Sequence, residues 1–293
     1  MNKLLLIDGH AYAYRSFYAI KELKSPEGMA VNAIYGFIKA LTKMRSDLGP
    51  THVLVVWDGG LSAERLKRWP AYKAQRPSMP DDLRPQFERI RHYLSAAGVA
   101  DFCADGVEAD DHIGCVARLA ADAGWQVIIA SADKDFMQLV DDRIGLLNPN
   151  DKSGMVWGAE QVRAKSGVNP DQVADWLALM GDQVDNIPGV PGVGPKTAAS
   201  LLGQFGSVDK IYERIAEVKS PRLAAALDAS KPLVYKNLDL VRLQSVPCEF
   251  IPDQVKPGAE DTPRLQDLLA QFGFKGMLRE LMESKTGRLA GLN

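Results

Sequence analysis

Three short runs of the chain are apolar without a break: residues 4–7, 53–57 and 127–130. A strand with one wet face alternates apolar and polar positions. An unbroken run predicts a strand covered on both faces, as in a parallel sheet. Around these runs apolar positions recur every three to four residues, which predicts helices over 33–45, 84–97 and 110–123. Strands alternating with helices predict an α/β fold, a mainly parallel sheet flanked by helices with right-handed crossovers. From about residue 170 helical spacing takes over, at 171–180, 196–205, 208–218, 221–229 and 265–272. The expected division is a core over residues 1–168 and a helical region over residues 169–293.

Composition changes this picture little. The 293 residues are 46% hydrophobic and 25% charged, with 25 Gly and 17 Pro, which argues against disorder, collagen-like repeats and coiled coil. The longest apolar run is five residues, against the roughly 20 that span a membrane, and the apolar stretch at the start is too short for a secretory leader. No membrane association and a cytoplasmic location are expected. Three cysteines (Cys103, Cys115, Cys248) without a Cys-x-x-Cys pair fit a reducing compartment and argue against a disulfide framework or a thiolate zinc site. His10, His52, His92 and His112 show no His-Glu-x-x-His spacing. A metal, if one works here, must sit on carboxylates, which points to Mg²⁺ or Mn²⁺.

The candidate chemistry is acidic. Each unbroken run leads into aspartate: Asp8, Asp58, and then Asp133 with Asp135. Ligands of open α/β sheets bind at the carboxyl ends of the strands, although any single aspartate there can simply cap a helix or start a turn. A second group, Glu108, Asp110 and Asp111, opens a predicted helix, where acids suit the dipole but repel one another unless a cation or solvent intervenes. The third is Asp182 and Asp185, three apart in a polar loop. Net charge is −2, and setting these nine acids aside leaves +7 on the remainder: an anionic pit on a basic body.

Between positions 65 and 76 lie five basic residues and no acid (Arg65, Lys67, Arg68, Lys73, Arg76), with Trp69 and Tyr72 interleaved. Cations for phosphates and rings for bases are the components of a single-strand binding surface. Gly189, Gly192 and Gly194, followed by Lys196 and Thr197, form a glycine-rich turn between two predicted helices, able to bring backbone N–H groups to a phosphate.

With these motifs assembled, the chain resembles the 5′–3′ exonuclease domain of bacterial DNA polymerase I, within the flap endonuclease family. The resemblance rests on Leu-Leu-Ile-Asp-Gly at 5–9, Tyr14-Arg15, Tyr72-Lys73-x-x-Arg76-Pro77-x-Met79-Pro80 and Gly106-Val107-Glu108-Ala109-Asp110-Asp111. It continues through Asp133-Lys134-Asp135, Gly181-Asp182-x-x-Asp185-Asn186-Ile187-Pro188-Gly189 and Gly192-Val193-Gly194-x-Lys196-Thr197-Ala198. It covers nearly the whole chain, with departures at Gly59-Gly60, Glu64 and Ala132.

The resemblance implies a catalytic core with a basic arch at about residues 61–85, followed by a helix-hairpin-helix that binds duplex DNA. It implies a metal-dependent 5′–3′ exonuclease or 5′-flap endonuclease acting by two metal ions, leaving 5′-phosphate ends, in replication and repair. Asp8, Asp58, Glu108, Asp110 and Asp111 would serve mainly one Mg²⁺ ion. Asp133, Asp135, Asp182 and Asp185 would lean toward the second, with Mn²⁺ an acceptable substitute. Tyr72, Lys73 and Arg76 are the implied catalytic residues of the arch. Arg15, Arg65, Arg68, Gly192, Gly194, Lys196 and Thr197 are the implied DNA contacts, and carbonyls near Val190 and Val193 would hold K⁺. The expected partner is DNA with a 5′ flap or 5′ end, RNA in RNA–DNA hybrids and a DNA polymerase being further expectations for a monomeric protein. Two readings compete: a non-catalytic DNA-binding module, and the same chemistry directed at RNA.

Overall fold

The computed structural model describes residues 2–290, side chains beyond residue 283 excepted. Its strands are β1 (Lys3–Asp8), β2 (His52–Val56), β3 (Ala100–Phe102), β4 (Gln126–Ala130), β5 (Ile144–Leu147) and β6 (Val156–Trp157). The helices are α1 (Gly9–Ala19), α2 (Asn32–Leu48), α3 (Ala63–Arg68), α4 (Arg84–Ala96), α5 (Ala109–Asp122), α6 (Ala159–Ser166) and α7 (Val173–Met180). They continue as α8 (Pro195–Phe205), α9 (Val208–Glu213), α10 (Pro221–Ala229), α11 (Lys231–Val241), α12 (Pro252–Val255), α13 (Thr262–Phe272) and α14 (Lys275–Ala290). The β1–β2, β2–β3 and β4–β5 pairings are parallel and β5–β6 is antiparallel, giving the mostly parallel, helix-flanked sheet that the apolar runs predict. Among the described residues no helix is long and apolar enough to cross a membrane.

The packing forms two compact units that alternate along the sequence. One comprises Asn2–Trp57, Ser78–Phe102 and the described residues from Ile251 onward. Here Leu4, Leu5, Leu6 and Ile7 are fully buried, each worth about 1.5–3 kcal/mol relative to exposure. Helix α2 buries Ile34, Phe37, Ile38 and Leu41 at helical spacing. It has no side-chain cap of its own, so the buried Gln86 of α4 serves instead, accepting from the N–H groups of Ala33 (2.9 Å) and Ile34 (3.3 Å). Gly9 opens α1 against the Trp57 indole, where a Cβ would lie 2.5 Å from a ring carbon. The end of the chain completes this unit: Gly258 N–H donates to Gly98 (2.8 Å), Asp261 N–H donates to Ala96 (2.8 Å), and the Phe274 ring meets Tyr35 edge-on.

The other unit comprises Asp58–Pro77 and Cys103–Phe250. Within it α7 and α8 are joined by a two-residue ladder, Gly181–Asp182 against Ile187–Pro188, and a turn: the helix-hairpin-helix of the sequence reading. Gly181 has φ +77°, and a Cβ there would lie 2.3 Å from Gly189 N, so the two strands of the ladder approach through glycine. Trp176 Nε1 donates to the Pro195 carbonyl (3.0 Å), holding the two helices together. Asn237 of α11 donates to the carbonyls of Ala178 and Pro188 and ties a third helix to the hairpin.

Two expectations change. The helix predicted over 208–218 breaks at Arg214 into α9 and a 3₁₀ turn, Ile215–Glu217. Cys115 and Cys248, expected to be reduced, form a disulfide. They are 133 residues apart, so spacing gives no sign of a pairing created by α5 packing near the chain that follows α11. Cys103 is exposed.

Candidate active site

The start of α5 carries the first acid group. Asp58, just after β2, accepts from Ala109 N–H (3.1 Å) and so supplies the cap that Glu108, at the N-cap position, does not. Glu108 is instead buried and fully engaged. Its Oε1 accepts from Ser62 N–H (3.0 Å) and lies 3.1 Å from the Arg65 guanidinium, while Oε2 accepts from Tyr72 OH (3.2 Å) and from Lys73 Nζ. Asp111, equally buried, receives the Arg65 guanidinium through both oxygens (2.7 and 2.8 Å) and the Gln244 N–H on Oδ1 (2.7 Å). Asp110 is less buried and lies 3.9 Å from Lys73 Nζ.

The second group gathers at the end of β4 and at the hairpin ladder. Asp133 caps the 3₁₀ turn Lys134–Leu139 by accepting from Asp135 N–H (2.9 Å). Carboxylate oxygens of Asp135, Asp182 and Asp185 all lie within 4.8 Å of one another. Arg76 donates to Asp185 (2.6 Å) and Lys134 to Asp182 (2.8 Å). Lys134 was missed in the sequence reading, although its place between two aspartates was a signal. Asp135 Oδ1 is buried and accepts no hydrogen bond among the described residues.

Lys73 joins the two groups. Its ammonium lies against Glu108 and Asp110, while its backbone N–H donates to the Asp185 carbonyl (3.0 Å). It does this with φ +55°, a conformation that costs a residue bearing a Cβ about 1–2 kcal/mol. Nearby, Trp69 Nε1 donates to Asn186 O and Asn186 Nδ2 donates to Ala71 O, which fastens the arm to the loop between Asp185 and Ile187.

The electrostatics separate the groups. Burial alone would raise the Glu108 carboxyl, but Lys73, Arg65 and the Ser62 N–H outweigh it and hold Glu108 below the usual carboxylate range. Burial pushes Asp133 up, with Asp185 adding to it. Asp135 is pushed well above the usual range by burial and then by Asp133, Asp185 and Asp182. Four carboxylates here face two cations, Arg76 and Lys134, so full ionisation would leave two negative charges unbalanced. An unpartnered buried oxygen, an all-carboxylate donor set and that excess of two charges suit a hard divalent cation. The residues fit the ion.

The remaining candidates lie elsewhere. Asp8 belongs to the first unit and caps α1 by accepting from Ala11 N–H (3.0 Å), and Arg15 is exposed on the same helix. Arg68 is exposed and pairs with Asp239 (2.8 Å). Arg65, by contrast, is 2% exposed. At the hairpin Gly192 takes φ +81°, Gly194 caps α8, and Lys196 and Thr197 lie in its first turn, where N–H groups are unpaired by the helix itself. Val190 and Val193 are buried, and Val190 O accepts from Val193 N–H (3.0 Å).

Comparison with known proteins gives two family matches that together cover most of the chain. Residues 3–167 match the family model for the 5′-3′ exonuclease, N-terminal resolvase-like domain, and residues 168–263 match that for the 5′-3′ exonuclease, C-terminal SAM fold. A 5′-3′ exonuclease of Aquifex aeolicus is 37% identical over 287 residues, covering 96% of both chains. DNA polymerase I of Bacillus caldotenax is also 37% identical over 288 residues, covering 96% of this chain and 32% of its own. The chain thus spans about a third of the length of the polymerase relatives it matches. Among solved structures, T5 5′-exonuclease with bound zinc superposes with TM-score 0.69 at 23% identity, covering 96% of this chain and 99% of that one. The catalytic core of Rad2 in complex with a DNA substrate gives 0.64 at 17%, covering 97% and 91%. These two show a shared fold.

Proposed function

The chain belongs to the 5′-3′ exonuclease family, and from that premise we propose that it hydrolyses phosphodiester bonds of DNA at 5′ ends and 5′ flaps with divalent metal ions. The observation that carries this reading is the Asp135–Asp182–Asp185 cluster, with its unpartnered buried oxygen and the arm cations Lys73 and Arg76 beside it. Asp133, Asp135, Asp182 and Asp185 would hold one Mg²⁺. Asp58 and Asp110, with Glu108 and Asp111 adding charge, would serve another, and Asp8 enters the proposal from its sequence motif alone. When bound, such ions supply an activated water and offset charge on the departing oxygen.

The chain's own residues do the rest. Lys73 and Arg76 would neutralise charge developing on the scissile phosphate, which is worth most in a water-poor setting. Tyr72 holds Glu108 through its hydroxyl and packs beside the Lys73 ammonium, 4.9 Å from the ring centre. Exposed Arg68 and Arg15 are candidate phosphate contacts, and the start of α8 with Gly192, Gly194, Lys196 and Thr197 suits a phosphate of duplex DNA. Val190 and Val193 remain candidate carbonyl donors for K⁺. The working division is a nuclease core over residues 1–168 and a DNA-binding region over 169–293, with a DNA polymerase as partner. The expected product carries a 5′-phosphate, and RNA in hybrids is a secondary substrate.

A labelled 5′-flap DNA incubated with Mg²⁺ or with chelator tests this. Cleavage should require the metal and should fall at least about 100-fold in Asp185→Ala. No cleavage by the parent would leave only a DNA-binding module, and preference for a matching RNA flap would move the chemistry to another substrate.

A further inference from the structure

Arg65 lies in a run of cations that reads as a phosphate-binding surface, yet its side chain is spent inside the protein. A guanidinium has five N–H donors. Here Nε donates to Leu240 O (3.1 Å), one terminal nitrogen to Asp111 Oδ2 (2.7 Å) with Glu108 Oε1 at 3.1 Å, and the other to Asp111 Oδ1 (2.8 Å) and Arg242 O (3.2 Å). Four hydrogen bonds and one ion-pair contact thus hold the guanidinium to five oxygens of the protein itself.

We propose that Arg65 is a positioning residue, a clamp that fixes the Glu108 and Asp111 carboxylates and through Glu108 places the Lys73 ammonium. The inference rests on the hydrolytic reading above for its effect on catalysis. The chain of contacts is continuous. Ser62 caps α3 by accepting from Arg65 N–H, and its own N–H donates to Glu108 Oε1 (3.0 Å), so the start of α3 and the start of α5 are held as one body. From Glu108 the contact passes through Oε2 to Lys73 Nζ and Tyr72 OH. The same guanidinium anchors the end of α11 through two carbonyls, where the helix dipole favours a cation. Only a planar fork satisfies a bidentate carboxylate, a second carboxylate and two carbonyls at once. A lysine has three donors on one nitrogen and leaves acceptors buried and unpaired. Asp111, with Oδ1 doubly bonded and Oδ2 on the guanidinium, is the clamp's anchor.

Arg65→Lys, Arg68→Ala and Asp111→Asn should be compared with the parent in three measurements. The first is steady-state cleavage of 5′-flap DNA with Mg²⁺. The second is the salt dependence of flap binding in chelator. The third is acetylation of Lys73 by acetic anhydride, followed by mass spectrometry. In Arg65→Lys, kcat should fall roughly 10–100-fold with KM within about 3-fold, as when a supporting contact behind a reactive group is lost. The salt slope should match the parent, whereas Arg68→Ala should lower it by about one. Lys73 should be acetylated several times faster in Arg65→Lys. Asp111→Asn, which keeps Arg65 but cuts the bidentate pair, should show the same faster Lys73 labelling, and that readout stands in if Arg65→Lys does not fold. A salt slope reduced by about one together with a raised KM would make Arg65 a phosphate contact and overturn the proposal, as would parental kcat and parental Lys73 labelling. If the parent itself cleaves nothing, the hydrolytic reading fails, and Lys73 labelling still decides the clamp.

Discussion

Removing the charge of Asp135 should stabilise the metal-free protein and destroy its response to metal. Unit charges 4.8 Å apart, the limit that bounds the Asp135, Asp182 and Asp185 oxygens, repel by about 3.5 kcal/mol per pair at an effective dielectric near 20. Arg76 and Lys134 offset part of this, and protonation of Asp135 relieves more. The unpartnered Oδ1 adds a desolvation cost of about 1–3 kcal/mol. Asp135→Asn keeps the shape, removes one charge and provides N–H groups for the neighbouring carboxylates. In chelator it should therefore gain about 1–3 kcal/mol, a rise in Tm of roughly 2–12 °C.

The sign with pH follows from the raised carboxyl. A carboxyl held above its unfolded value favours the fold when protonated, a contribution present below the unfolded value near 4 and lost as pH rises through the folded one. The advantage of Asp135→Asn in chelator should accordingly widen as pH rises above about 4 and level off once the folded carboxyl has ionised. With Mn²⁺ at about 100 times its dissociation constant the parent gains about 2.7 kcal/mol and the variant gains little, so the order of stability reverses. Thermal melts in chelator and in Mn²⁺ at several pH values measure all of this. A variant less stable than the parent in chelator, or one with the parent's full metal response, would refute the reasoning.

Three further outcomes are expected. Gly181→Ala should cost about 3–5 kcal/mol, from its φ of +77° and a Cβ 2.3 Å from Gly189 N, whereas Gly203→Ala, in open space within α8, should gain about 0.5–1 kcal/mol; chemical denaturation of both variants checks the pair. Reduction of Cys115–Cys248 by a dithiol should lower the stability of the folded state by about 2–5 kcal/mol, because the bridge closes a long loop, and a melt unchanged by reductant would count against it. Tyr72→Phe should weaken cleavage by roughly 10-fold while leaving flap affinity near parental, since the hydroxyl reaches Glu108 (3.2 Å) inside the protein; a matching loss of affinity would instead place Tyr72 on the DNA.

The large elements were legible because their signals are local. Unbroken apolar runs became β1, β2 and β4, and helical periodicity located α2, α4, α5 and α10 within a few residues. Strands β3, β5 and β6 are two to four residues long, too short for any period to show. The acids of the α5 start and of the hairpin ladder were legible as groups, since each group is close in sequence. Direction was not legible. Arg65 and Arg68 lie three apart in one cationic run, yet one turns inward to buried oxygens of the protein and the other lies on the surface beside Asp239. The partners that decide this, Leu240, Arg242 and Asp111, are set by folding over long stretches of chain. Gln86 capping α2 and Cys115 meeting Cys248 were hidden for the same reason.

The way α12 and α13 complete the unit that begins the chain bears on how the protein is made. Domains emerging from a ribosome tend to fold in order, first residues first. Here β1, β2 and β3 emerge early, yet Gly98 and Ala96 lack the backbone partners Gly258 and Asp261 until some 160 further residues have been synthesised. The unit formed by residues 58–77 and 103–250 is fully synthesised sooner. A nascent chain stalled near residue 250 would therefore hold all the residues of the hairpin unit, while the amino-terminal unit still lacked α12, α13 and the partners of Gly98 and Ala96.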